Sequence, residues 1–437
     1  MVSGFHPPCG RKDFSGMMRI LTEERTSALR RVLNVQLFSM LLIFSPAVDV
    51  ITGALLLYGH SLSLSALYKG VIFLMCLIRL CCGFPKRWAA WLVVGGILTA
   101  LSLLIPCIGF DLSVLAYNGN LIVKCYVAFG VMAVYRLFLE ENPKRTAYWV
   151  RRIFDFYCWF FPLSILLPGL MGVGFPTYAY GVGFKGFYFA GNDISIVMVV
   201  AAAISAEAFV QKCTWPNGIR AILAVISLLV LSTKSCLLMA VVIVVIFILR
   251  TRNIYLKIGI AAAVAAVGLA AASLFQDEIV SLYESLRYKY RWYLEQGGTV
   301  ISFLSSGRDE KFMEAFRASY QKDTLRVLLF GTGAWQQLHL PLYHGLIEMD
   351  FFDLLIWHGV LLTAYLCTGC FMLYRKVRRH APFVLKFCWW LIVGFSFMVG
   401  HVLFSPMANL VFALVYIAMM CENRSAKARK IKRGCCT

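Results

Sequence analysis

Residues 192–252 read NDISIVMVVAAAISAEAFVQKCTWPNGIRAILAVISLLVLSTKSCLLMAVVIVVIFILRTR. Three apolar runs, near 192–211, 219–232 and 235–250, are separated by joints of different charge. Lys212 and Arg220 bracket the first joint and Arg250-Thr251-Arg252 follows the third run, while the second joint is only Ser232-Thr233-Lys234. A helix needs about 20 mostly apolar residues to cross a bilayer, and short loops rich in Lys and Arg stay on the cytoplasmic side. The first run has that length. The second and third are short, which suits a tilted or partly re-entrant helix. The stretch therefore reads as membrane helices threading back and forth, and it sets the fold class as all-α.

The pattern extends in both directions. Further apolar segments lie near 33–58, 64–82, 88–109, 118–139, 153–174, 254–275, 349–374, 383–404 and 406–421, about twelve spans in all. With a cytoplasmic N-terminus, the inside loops are Pro85-Lys86-Arg87, 140–152 (Lys144, Arg145, Arg151, Arg152), 212–220, 250–252, 375–380 and the tail 427–433. The short outside loops (59–63, 110–117, 175–191 and the turns near 233 and 405) are almost free of Lys and Arg. Composition agrees: 60% of the 437 residues are hydrophobic and the mean hydropathy is +0.75. A formal net charge of +20 would suggest nucleic acid on a soluble protein. Here the basic residues sit where topology needs them, so no nucleic-acid partner is expected and the bilayer is the partner.

The first thirty residues are polar and basic and lack the apolar core of a cleavable signal peptide. The fifteen cysteines lie mostly in apolar stretches and none falls in 276–348, so neither a disulfide framework nor a Cys metal site is expected. Cys435 and Cys436 end the basic tail without the spacing of a prenylation signal.

The chain reads as one membrane domain, 1–437, holding one large extracytoplasmic loop, 276–348. That loop opens with an amphipathic, aromatic-rich stretch over 277–296 that suits a membrane surface. Ser306-Gly307-Arg308-Asp309 predicts a second helix, capped by Ser306 and running to about 321, and Gly331-Thr332-Gly333 predicts a tight turn. No internal repeat is visible.

Ionisable groups in or near spans are the candidates for function. Lys69 and Lys124 fall toward the outer ends of their helices, Lys234 at an outer turn, Lys185 in an outer loop and Arg308 in the large loop. Cations outside oppose the usual bias, and a polyanionic ligand such as a phosphate would account for them. The alternative is that each Lys snorkels or pairs with a carboxylate such as Asp49. Acidic candidates stand at the start of the tenth span, where Glu348, Asp350 and Asp353 crowd together. Their mutual repulsion raises at least one pKa and would make a general base, whereas a solvated helix N-terminus also favours acids. His344, His358 and His401 read as packing residues. Glu348-Met349-Asp350 is the nearest approach to an acidic metal motif, and no metal is expected there.

Four of these pieces, taken together, resemble the O-antigen ligase and O-antigen polymerase superfamily of bacterial surface-polysaccharide enzymes. The stretch from Gly183-Phe184-Lys185-Gly186 to Gly191-Asn192-Asp193 is similar to the family's basic residue and Gly followed by Asn. Ser232-Thr233-Lys234-Ser235 is similar to its Ser-Arg turn, with Lys for Arg. Ser306-Gly307-Arg308 resembles its Ser-Gly-Arg, and Gly331-Thr332-Gly333 with the run 348–359 resembles its Gly-x-Gly and His-Asn…Gly block. The resemblance covers about 175–375. Where ligases especially place a His, this chain has Glu348, which argues for a polymerase-like member.

The resemblance implies a GT-C-like glycosyltransferase in the bacterial inner membrane, with both termini cytoplasmic. It would join oligosaccharide repeat units carried on undecaprenyl diphosphate, with no cofactor, alongside a flippase and a chain-length regulator. Glu348 or Asp350 would take the acceptor's proton. Arg308 would stabilise the leaving diphosphate, and Lys185, Lys234, Lys124, Lys69 and Asn192 would bind substrate. The alternatives are a ligase moving finished polymer to a lipid anchor and a transporter of lipid-linked sugars. The topology is checked by reporter fusions: phosphatase joined after residue 320 should be active outside, and one joined after 378 inactive. The reverse pattern would overturn the orientation.

Overall fold

The computed structural model describes residues 29–83, 89–178, 183–274, 276–295, 297, 299–320, 324–339, 347–400 and 402–434. Pro85-Lys86-Arg87, His344, His401, Cys435 and Cys436 lie outside the described residues. Among those described, 82% are helical and no strand forms. In chain order the helices are α1 (Val35–Leu57), α2 (Leu64–Cys81), α3 (Ala89–Leu104), α4 (Leu112–Glu141), α5 (Pro143–Leu170), α6 (Gly191–Gln211), α7 (Trp215–Leu231), α8 (Lys234–Arg250) and α9 (Ile254–Leu274). The large loop holds α10 (Gln276–Glu295), α11 (Val300–Ser305), α12 (Arg308–Tyr320), α13 (Thr324–Phe330) and α14 (Ala334–Leu338). The chain then closes with α15 (Asp350–Val377), α16 (Phe383–Met398) and α17 (Pro406–Gly434).

Seven of these, α1, α2, α4, α5, α6, α15 and α17, are long and apolar enough to cross a membrane, so the protein is an all-α polytopic membrane protein. Helices α3, α7 and α16 are apolar but shorter. Two predicted loops are helical instead. Asn142 alone separates α4 from α5: its side chain accepts from the Arg145 N–H at 3.0 Å and Pro143 stands in the first turn, so 143–152 carries its basic residues on a helix. The basic tail likewise continues α17 to Gly434.

Helix α17 is the hub. It packs on α4, α5, α6, α15 and α16, and its buried run from Ala408 to Cys421 leaves almost no apolar side chain for lipid. Farther from it, α2, α3 and α8 turn Leu67, Leu74, Val93, Ile97, Leu238 and Val241 outward. A bilayer covers these exposed apolar side chains.

Backbone groups at breaks in the helices find partners inside the protein. Pro46 interrupts α1 and, lacking an N–H, leaves the Leu42 carbonyl unpaired; the Tyr157 hydroxyl donates to it at 2.7 Å. Gly359 breaks α15 with φ 74° and ψ 176°. The Ile356 and Trp357 carbonyls then accept from the N–H groups of Thr332 (2.8 Å) and Gly333 (3.0 Å). The predicted turn at 331–333 is thus a segment of the large loop docked against a broken membrane helix. Helix α14 beside it is held by Asn118, which accepts from the Trp335 N–H at 2.9 Å, and by Gln336, which donates to the Pro106 carbonyl at 2.8 Å.

A Cβ at Gly359 would stand 2.3 Å from the Leu329 carbonyl oxygen, at a φ that L side chains resist. Gly359→Ala should therefore cost about 2 kcal/mol or more. Gly394→Ala, at a helical glycine with nothing within 4 Å, should be neutral or mildly stabilising. Thermal unfolding in detergent compares the two, and equal midpoints would remove the structural role assigned to the break.

Candidate functional site

Glu348 sits between the large loop and α15, and its backbone is in the left-handed region at φ 64°. A non-glycine residue there stores roughly 1–2 kcal/mol and persists only where its surroundings enforce it. Two features enforce it here. The Asp353 carboxylate accepts from the N–H groups on either side, Ile347 at 3.3 Å and Met349 at 3.2 Å. Gly400 packs its Cα face on the Glu348 carbonyl so closely that a Cβ would stand 1.9 Å from that oxygen.

The three carboxylates that the sequence groups together therefore do different work. Asp350 is fully buried and its Oδ2 accepts from the Ser396 hydroxyl (2.9 Å) and the N–H groups of Val402 (2.7 Å) and Leu403 (2.9 Å). Buried in this way, it anchors the 402–403 turn and is poorly placed to reach a substrate hydroxyl, contrary to its expected role as an alternative base. Asp353 is equally buried and holds the backbone around Glu348. Glu348 keeps 39% of its side chain exposed and points its Oε2 at the Arg308 Nη2, 2.9 Å away.

Arg308 begins α12. The expectation that Ser306 caps this helix is corrected: Ser306 lies in the left-handed region at φ 59° and ends α11. The short helix 300–305 has to stop before α12 can start at a new angle, and the two positive φ values at Ser306 and Gly307 make that corner. The hydroxyls of Ser302 (2.7 Å) and Ser305 (2.6 Å) donate to Asp309 instead. Burial pushes the Asp309 carboxyl up, but these two hydroxyls and the nearby N–H groups outweigh it and hold its pKa below the usual value. Lys234 reaches the same corner, donating to the Phe303 carbonyl at 3.0 Å and lying 3.5 Å from the Ser306 hydroxyl, with its ammonium 4.3 Å from the Phe303 ring centre. Arg308 Nε is buried and has no hydrogen-bond partner among the described residues, so the guanidinium keeps an unused donor.

Lys185 lies in the loop between α5 and α6. The Phe184 N–H donates to the Val230 carbonyl at 2.9 Å, which ties its loop to the turn carrying Lys234. Its ammonium lies 5.9 Å from the Phe175 ring centre and 6.0 Å from that of Phe189. Partial burial between them lowers its pKa. Asn192 donates to the Val399 carbonyl at 3.5 Å, next to Gly400.

Lys69 and Lys124 are not brought to this group. Lys69 is buried and donates to Asp49 at 2.5 Å and to Ser65 at 2.9 Å, the carboxylate pairing weighed from sequence. The charged neighbours of Lys124 are Asp193 and Lys69. His358 is buried with Ser102 3.3 Å from its Nδ1. The backbone roles of Asp353 and Gly400 were missed by sequence reasoning. The one available signal was an acid in the first turn of α15, where carboxylates reach back to free N–H groups.

Compared with known proteins, no family model matches the chain, and no curated protein matches it.

The Arg308–Glu348 pair is partly exposed, so a double-mutant cycle of Arg308→Ala and Glu348→Gln should give a coupling of about 1 kcal/mol in unfolding free energy. A coupling of zero would mean that the two side chains do not meet in the folded protein.

Proposed function

We propose that this protein is a glycosyltransferase that polymerises oligosaccharide repeat units carried on undecaprenyl diphosphate, acting at the outer face of the bacterial inner membrane. In this reading about twelve spans form a GT-C-like body with cytoplasmic termini, and a flippase and a chain-length regulator work beside it. The observation that carries the proposal is the convergence of Lys234, Arg308 and Glu348, from α8, the large loop and the start of α15, on one corner. Cations from separate elements beside a strained, accessible carboxylate suit a reaction that expels a diphosphate and removes a proton.

The donor's diphosphate replaces Glu348 as the partner of Arg308, with Lys234 and Lys185 adding charge. Arg308 can grip phosphate oxygens bidentately, and fixed cations help most where negative charge grows in the transition state. The exchange releases Glu348 to act as base once the donor is bound. The acceptor hydroxyl oxygen attacks the anomeric carbon and Glu348 takes its proton. The bond from that carbon to the diphosphate oxygen breaks, and its electron pair leaves on undecaprenyl diphosphate with inversion at carbon. Asp350 and Asp353 hold the backbone that aims Glu348.

A polysaccharide gel from the native host tests this. Deletion should collapse the ladder to single repeat units, and wild type should restore it. Glu348→Ala and Arg308→Ala at matched expression should not, since losing a general base costs about 100- to 10,000-fold. Long polymer left on its lipid carrier would make the protein a ligase. A normal ladder from both mutants would overturn the site.

A further inference from the structure

A second polar region lies apart from the Arg308 corner. The outer ends of α1, α2, α6 and α17 enclose an open cleft of about 370 Å³, within the range of small-ligand sites. Its floor is built. Lys69 and the Ser65 hydroxyl both donate to the same Asp49 oxygen, each at 2.5 Å. The other oxygen, Asp49 Oδ2, is buried and has no hydrogen-bond partner among the described residues, on a side chain only 9% exposed. A buried carboxylate oxygen without a donor is costly, so the site asks for one. On the far wall Asp193 accepts from Ser405 at 2.6 Å. Beside it Phe189, 69% exposed, presents a ring to the cleft.

We infer that this cleft binds the sugar of the acceptor, through hydroxyl groups donated to Asp49 and Asp193 and a ring face laid on Phe189. The inference rests on the polymerase reading and deepens it by separating a sugar subsite from the diphosphate subsite. Charge decides between the two. Asp49 and Asp193 lie with Lys69 and Lys124, so the region is nearly neutral, and Lys69 is already paired with Asp49; a diphosphate meets little spare positive charge there, while a hydroxyl donor meets a buried carboxylate oxygen that lacks one. Lys69 thus serves to hold Asp49 in place and is not a phosphate ligand. Position agrees as well. Two residues ahead of α17 touch the two sites: Ser405 contacts Asp193 in the cleft, while Gly400 presses on Glu348. A glycan seated in the cleft would extend a hydroxyl past Ser405 toward Glu348.

The probe is the host's own repeat-unit oligosaccharide, released from its carrier by mild acid and fluorescently tagged at the reducing end. It is titrated onto the full chain in nanodiscs. Asp193→Asn and Phe189→Ala should each weaken binding about tenfold, the order of one stacking or hydrogen-bonding contact. Excess undecaprenyl diphosphate should not displace the probe, and Arg308→Ala should still bind it. Phe189 is exposed, so its replacement leaves the fold intact, and unfolding midpoints check both variants. Equal affinity in all variants, or no binding to wild type, overturns the inference. So does displacement by undecaprenyl diphosphate with loss in Arg308→Ala alone. The ladder on the gel scores the polymerase reading separately, so a cleft that binds no sugar can fail while that reading stands.

Discussion

A backbone N–H or carbonyl inside a bilayer has no water to turn to, and two breaks among the described helices are arranged around that constraint. At Pro46 the unpaired Leu42 carbonyl is met by the Tyr157 hydroxyl from α5. At Gly359 two carbonyls of α15 are met by the backbone of the large loop. The second case shapes the candidate site. Because Thr332 and Gly333 must reach Ile356 and Trp357, helices α13 and α14 are drawn down onto α3, α4 and α15. The loop becomes a fixed part of the helical body, and α12 with Arg308 is held over the start of α15.

Charge is distributed with equal economy. Arg79 pairs with Glu141, Arg220 with Asp155 at 3.1 Å and Arg250 with Glu207 at 3.2 Å, so part of the basic excess also ties helices together. The candidate-site cations fall into two sets. Lys69 and Lys124 lie among the carboxylates Asp49 and Asp193. Lys185, Lys234 and Arg308 lie among aromatic rings, carbonyls and one exposed carboxylate. The first set is nearly neutral and the second keeps spare positive charge, so only the second suits a polyanion.

Strain is concentrated at Glu348. Its left-handed backbone is held by Asp353, which bonds to both neighbouring N–H groups, and by the close approach of Gly400. Such strain is kept where a side chain must point in a set direction. The neighbouring acids supply the restraint, and this explains why three carboxylates occupy so short a stretch with only one left exposed.

Hydropathy and the placement of Lys and Arg were enough to establish an all-α membrane protein, the positions of its apolar helices and the existence of a structured large loop. These are local properties: a run of apolar residues or a basic loop carries its meaning within some twenty residues. Which acid is presented, that Ser306 ends one helix instead of capping the next, and that Lys69 is paired were decided only by the tertiary structure. Asp350 is bonded to residues 46 to 53 positions away, Lys69 to one 20 away and Arg308 to one 40 away. Hydrogen bonds and ion pairs depend on distance in space, and no spacing along the chain says which groups the packing of α15, α16 and the large loop will bring within 3 Å.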